Sequence, residues 1–240
     1  MQTDHTITLP DGRRLTAALA LPTGVAPDGG WPGVLVVHEV PSLTPSIRDV
    51  ADVFATRGWA AVVPDLFSAG NRLGCLVRSI REIRAGRAGA VTADLQQALT
   101  WLQNREDVDA GRCASIGFCM GGAFALLLGT LGPDGLRAVS DNYGLLPAPD
   151  TDLSACPPVI ASFGAKDRTL VGAGDTLRTR LDAAGVPNQV HTYDGAAHAF
   201  LTSDVKVFGV LPVPGTQYVA SAAVPAWQRI FAFLDDHVRS

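Results

Sequence analysis

The sequence predicts an α/β fold, a mostly parallel central sheet with helices on both faces, in one domain spanning residues 1–240. Three observations predict it. Short apolar runs bounded by turn residues alternate with amphipathic helical stretches. The length of 240 residues fits a single α/β domain. Hydrophobic residues are 47% and charged residues only 18%, enough apolar surface to bury a sheet on both sides.

The elements follow in order. Residues 6–9 and 14–20 flank a Pro10-Asp11-Gly12 turn and read as an antiparallel hairpin at the sheet edge. Residues 33–38 (GVLVVH) form a fully buried strand. Residues 46–57 have helical periodicity, with Ser46 as the expected N-cap and Asp49 in the first turn. Residues 59–63 are the next strand, ended by Pro64. Residues 67–89, with Arg72, Arg78, Arg81, Arg84 and Arg87, form the least regular segment. An amphipathic helix follows at 90–103, a strand at 114–118 and a helix at 120–131 with no loop between them. Further strands are expected at 136–142, 158–163 and 189–193, and helices near 173–184 and 222–238. The apolar, Pro/Gly-punctuated segment 202–221 is expected to wall a pocket or form an interface.

Composition excludes several classes. A net charge of −4 gives no electrostatic basis for binding nucleic acid or an anionic membrane. Residues 1–10 lack the basic-then-apolar pattern of a signal peptide, so a cytoplasmic location is expected. Residues 114–133 carry no charge and approach the length of a membrane span. Five glycines interrupt them, and a β-branched pattern gives way to an Ala/Leu pattern, so a buried strand entering a buried helix is the better reading. Cys75, Cys113, Cys119 and Cys156 are widely spaced and form no CxxC. Neither a metal site nor a disulfide framework is expected, and no cofactor is implied.

The chemistry concentrates at Gly117-Phe118-Cys119-Met120-Gly121-Gly122, where the strand becomes a helix. This is a nucleophile elbow with cysteine in place of serine, the signature of an α/β-hydrolase. So sharp a turn admits only small residues two positions before and after the nucleophile. The side chain is thrust above the sheet over a helix N-terminus, whose field favours a thiolate and a developing oxyanion. The Met120 N–H is one candidate oxyanion donor. The other reading is that Cys119 is a small buried hydrophobe, as free cysteines usually are. In this fold an acid and then a histidine follow the nucleophile, each after a strand. Asp167 follows the strand at 158–163 and His198 the strand at 189–193, at carboxyl ends where open parallel sheets place ligands. Taken singly, Asp167 is an equally good cap for a helix near Thr169, and His198 an ordinary loop histidine. After the strand at 33–38, Glu39 is expected close to the thiol, where burial raises its pKa and lets it accept the thiol proton, and the Val40 N–H is the candidate second oxyanion donor. The other reading is that Glu39 bonds to nearby backbone N–H groups and only shapes its loop.

These residues resemble the dienelactone hydrolase family along nearly the whole chain. The resemblance is carried by VVHEV at 36–40, DLF at 65–67, GFCMGG at 117–122, NYG at 142–144, GAKD at 164–167 and GAAHAF at 195–200. It implies a triad of Cys119, His198 and Asp167. It also implies that Glu39 keeps the thiol protonated until substrate displaces that contact. Relatives acting on dienelactone hold its carboxylate with arginines, one of them a few residues after the histidine. Here the stretch reads His198-Ala199-Phe200-Leu201-Thr202-Ser203, without arginine, which counts against dienelactone itself. Arg78, Arg81, Tyr143 and Thr202 are the candidate substrate contacts, although the arginine spacing equally fits a solvated helix face.

The expected function is hydrolysis of a small ester or lactone through a thioester, by a monomer or small homo-oligomer. The competing expectation is a small-molecule-binding member of the fold without catalysis. A redox role for Cys119 lacks a neighbouring resolving cysteine.

Overall fold

The computed structural model describes residues 2–40, 42–202, 206–207, 211–212 and 218–240. The strands are β1 (Gln2–Thr8), β2 (Arg14–Ala20), β3 (Trp31–Val37), β4 (Ala60–Pro64), β5 (Val108–Phe118), β6 (Leu136–Asn142), β7 (Val159–Gly164), β8 (Asn188–Tyr193), β9 (Lys206–Val207) and β10 (Leu211–Pro212). The helices are α1 (Pro45–Thr56), α2 (Arg72–Ala85), α3 (Ala90–Gln103), α4 (Met120–Gly129), α5 (Ala173–Ala183) and α6 (Ala220–Val238).

Eight strands form one sheet in the order β1-β2-β4-β3-β5-β6-β7-β8. The β1–β2 hairpin is antiparallel and lies at the edge, β2 meets β4 antiparallel, and the remaining pairs are parallel. The expected edge hairpin and parallel sheet are therefore both present. Winding runs from β3 through α1 to β4 in one direction, and from β5 through α4 to β6 in the other. Right-handed crossovers then place the two helices on opposite faces. On one face α1 packs on α6, with Phe54 and Phe231 centroids 5.1 Å apart, and on the other α3 packs on α4. The reversal opens a crevice beyond the carboxyl ends of β3 and β5, where ligands bind in such sheets.

The uncharged stretch 114–133 is the end of β5 running into α4, a helix whose ten residues are all buried. Among the described residues no helix is long and apolar enough to cross a membrane.

Two local expectations are corrected. The N-cap of α1 is Thr44, not Ser46, and no acid occupies the first turn, so Asp49 lies deeper in the helix. Pro45 explains the shift: it has no N–H to lose and a helical φ, so it takes the first helical position and leaves the cap to the residue before it. Thr44 Oγ1 accepts the Ile47 N–H at 3.4 Å.

The second correction is larger, because residues 67–89 are not irregular. They contain α2, capped by the Asn71 side chain at its start and closed by Gly86 at φ 61. A Cβ at Gly86 would stand 2.3 Å from Ala148 N. Glu82, near the end of α2, accepts hydrogen bonds from Gly89 N (2.9 Å), Val91 N (2.8 Å), Thr92 N (2.8 Å) and Thr92 Oγ1 (2.6 Å). It thereby caps α3, whose own N-cap, Gly89, has no side chain to do so, and its charge faces the positive end of that helix. This fixes the C-terminal half of α2 over the crevice. The apolar side chains of segment 202–221 on which a pocket-wall role was expected lie outside the described residues.

Candidate active site

Cys119 sits between β5 and α4 at φ 54 and ψ −115, a strained backbone for a residue with a Cβ. The neighbouring glycines make the turn possible. A Cβ at Gly117 would meet Gly121 O at 1.9 Å, and one at Gly121 would meet Val37 O at 2.1 Å. The elbow is tied to the next strand by Cys119 N donating to Asn142 O at 2.9 Å. Asn142 Nδ2 in turn donates to Gly117 O at 3.0 Å. The Cys119 side chain opens onto a cavity of about 280 Å³, which it lines with Val40, Met120, Tyr143 and His198.

Asp167 uses its two oxygens differently. Oδ1 accepts from Thr169 N (2.9 Å) and Thr169 Oγ1 (2.6 Å), while Oδ2 lies 2.6 Å from His198 Nδ1. The local turn and the histidine contact therefore coexist, and the cap for a helix near Thr169 is not needed because α5 begins at Ala173. Burial pushes the Asp167 carboxyl up, but the Thr169 hydroxyl and the His198 ring outweigh it and hold the group below its ordinary value. A proton on Nδ1 shared with this anion leaves Nε2 free for chemistry. The His198 ring packs on Tyr143, centroids 5.2 Å apart.

Glu39 is fully buried after β3. Its only polar partner among the described residues is Thr202 Oγ1, which donates to Oε2 at 3.3 Å; Oε1 has none. Burial pushes the carboxyl up to about 7, with the Thr202 hydroxyl pulling weakly the other way. Burial, then the Glu39 charge, push the Cys119 thiol up to about 12, opposed by the Met120 N–H. Neither the Val40 nor the Met120 N–H has a backbone acceptor among the described residues, and the Met120 N–H bonds to the Cys119 sulfur. His38 holds the loop beneath: Leu66 N donates to Nε2 at 3.0 Å, and Nδ1 lies 2.8 Å from Glu39 O. That pattern fixes a neutral ring, and burial pushes its pKa down. Cys113 and Cys156, both pushed up to about 12 chiefly by burial, lie away from the cavity.

Three of the four candidate substrate contacts lie off the wall of the Cys119 cavity. Arg78 is bound to Asp94 at 3.1 Å, alongside Arg13, and Arg81 lies on the outer surface. Both miss the cavity because of helix phase. At 3.6 residues per turn, Arg78 lies roughly 120° and Arg81 roughly 60° round α2 from Arg84, which does line it. Thr202 is buried behind the site on Glu39, not on the cavity wall. Tyr143 lines the cavity with its ring, but its hydroxyl is 3.5 Å from Thr202 Oγ1, within the protein. Sequence reasoning missed Ile80, Ile83, Leu145, Thr169 and Leu170 as walls. The missed signal was Asn71 and Gly86 as caps bracketing apolar positions 76, 80 and 83. Among the described residues no group of three or more His, Cys, Asp or Glu is placed to hold a metal ion.

The sheet order, the elbow and the acid and histidine at successive strand exits define an α/β-hydrolase. More narrowly, the chain belongs to the dienelactone hydrolase family, which residues 15–238 match. It is similar to proteins provisionally assigned as carboxymethylenebutenolidases. The one from Salmonella typhimurium is 30% identical over 228 residues, covering 85% of this chain and 77% of the relative. The one from Yersinia pestis is 28% identical over 226 residues, covering 87% and 79%. Among solved structures it resembles P91, a dienelactone hydrolase-like promiscuous phosphotriesterase from metagenomic libraries. That likeness has TM-score 0.82 and 25% identity, over 98% of both chains.

Proposed function

We propose that this hydrolase cleaves small esters or lactones with Cys119 as nucleophile, through a thioester. The observation that carries the reading is the Asp167–His198 contact of 2.6 Å, with His198 and Cys119 on the wall of one cavity. The thiol proton passes to Glu39 or His198 as sulfur attacks the carbonyl carbon. The Met120 and Val40 N–H groups hold the oxyanion, each worth about 3 kcal/mol. Collapse breaks the C–O bond, and the leaving alkoxide takes the former thiol proton from whichever of Glu39 and His198 received it. His198, oriented by Asp167, then removes a proton from water, which attacks the thioester and regenerates the thiol. Thiolates displace alkoxides readily and amines poorly, so peptides are poor substrates.

Arg84 favours a variant of this reading, in which the substrate bears an acidic group met at the cavity wall. It is exposed and makes no ion pair among the described residues. Arg84→Ala should then raise KM for carboxylated esters about 10-fold and leave neutral ones unchanged. The central test is a panel of p-nitrophenyl esters and lactones on the wild type, Cys119→Ala and Cys119→Ser. Intact-mass detection of an acyl adduct on His198→Asn complements it. Wild-type turnover by Cys119→Ala would end the proposal, and an adduct on another residue would reassign the nucleophile.

A further inference from the structure

Helix α2 carries large apolar side chains that the core does not use. Leu73 is 70% exposed, Val77 39% and Ile80 41%. Spaced i, i+4 and i+7, they share one stripe. The core-facing side is supplied by Cys75, Ser79, Glu82 and Ile83 instead. A surface helix gains nothing in folding from such a stripe.

Its position is informative. Ile80 lines the Cys119 cavity, while Val77 and Leu73, on the turns before it, line a surface groove with Gly74, whose polar edge is Asn71, Arg78 and Arg81. A Cβ at Gly74 would meet nothing within 4 Å, so the groove is open there. Leu145, which also lines the cavity, is 48% exposed. The apolar surface thus begins inside the catalytic cavity and continues outward along α2. At 1.5 Å per residue, Ile80 to Leu73 covers about 10 Å, the reach of a medium alkyl chain.

Resting on the ester or lactone reading above, we propose that this stripe binds the apolar arm of the substrate. An acyl or alkyl chain leaves the cavity past Ile80 and lies over Val77 and Leu73. Continuity with the cavity through Ile80 favours a substrate chain over a second protein copy. A stripe one side chain wide is also far smaller than the roughly 800 Å² per partner of a stable protein interface. The arm runs toward the start of α2, away from Arg84, so an apolar chain and an acidic group can be held at opposite ends of one substrate.

The test is kcat/KM for p-nitrophenyl acetate, butanoate, hexanoate, octanoate and decanoate, on the wild type and on Leu73→Gln/Val77→Gln. Full burial of a methylene gives about 4-fold, and a one-sided surface about half the logarithm of that, or 2-fold. The wild-type octanoate-to-acetate ratio should therefore rise well above 10, and the double variant should lower it about 10-fold. An equal ratio in the two proteins overturns the proposal. So does a variant that changes oligomeric state in sedimentation while keeping the ratio, since the stripe would then belong to a second copy. Titration of ethyl octanoate and ethyl acetate into Cys119→Ala, with and without the two stripe substitutions, reads binding without turnover. A selective loss of octanoate binding supports the stripe even where the cysteine mechanism fails. Equal binding of both esters removes the stripe while leaving hydrolysis intact.

Discussion

Replacing Glu39 by Gln should make folding stability less sensitive to pH, by an amount the structure sets. Glu39 is buried, one of its oxygens has no partner among the described residues, and burial moves its carboxyl from 4.5 to about 7. A raised folded value means that the carboxyl's contribution to stability is complete below about 4.5 and is lost as pH rises through about 7. At 1.36 kcal/mol per unit the whole effect is about 3 kcal/mol, of which about 2 to 3 kcal/mol falls between pH 5 and 8. Asp141, buried beneath the elbow and also pushed up to about 7 by burial, titrates in both proteins and cancels in the comparison. So does the constant cost of an unpartnered amide in the variant. The assay is chemical denaturation of both proteins at pH 5, 6, 7 and 8. The wild type should lose about 2 to 3 kcal/mol relative to Glu39→Gln across that range. Parallel curves would show that Glu39 titrates as an ordinary surface acid. They would also remove the basis for its holding the thiol proton at neutral pH.

The remaining predictions concern the groups around that carboxyl. Thr202→Val removes the one hydroxyl that lowers the Glu39 pKa, so the inflection of the same difference curve should move above about 7; an unmoved inflection would mean that the 3.3 Å contact carries no weight. Asp167→Asn keeps an oxygen for Thr169 but presents an amide to His198 Nδ1, forcing the wrong tautomer; ester turnover should fall by about 10⁴ with far-UV circular dichroism unchanged, and a loss below 10-fold would detach Asp167 from the chemistry. Gly121→Ala places a Cβ 2.1 Å from Val37 O, against backbone that cannot yield cheaply; it should cost about 3 kcal/mol in denaturation, and wild-type stability would refute the close packing of the elbow.

The parts of the fold legible in the sequence are those where one local rule dominates. The edge hairpin follows from Pro10-Asp11-Gly12, the buried strands from unbroken apolar runs, and the elbow from glycines on either side of Cys119. Asp167 and His198 could be placed because topology fixes their order and each stands just beyond a strand. Helix α2 was illegible as a pocket wall for the opposite reason. Its arginines at 78, 81 and 84 differ in phase alone, and which of them reaches the cavity depends on how Glu82 and Gly86 lock the helix to α3 and residue 148. Those contacts are long-range and leave no periodic trace. Proximity to His198 in sequence places Thr202 at the cavity, whereas the backbone turns at Ala199 (φ 58) and Thr202 lies buried against Glu39.

That last placement bears on how the site would be switched on. The family resemblance led to an expectation that substrate displaces the Glu39 contact and so frees the thiol. A cation in place of Thr202 would favour the carboxylate form of Glu39. Thr202 supplies a neutral hydroxyl instead, and the carboxyl stays near 7. The same carboxylate raises the thiol, with burial the larger cause, so protonating Glu39 relieves part of what opposes a thiolate while removing the base that would create one. The two effects oppose each other across neutral pH, and in the proposed mechanism the productive state has one proton shared between the pair. The bell-shaped pH profile this implies for the free enzyme would have its acid limb set by Glu39 and would lose that limb in Glu39→Gln. An unchanged acid limb in Glu39→Gln would assign it to His198 and leave substrate binding, not solution pH, as the trigger.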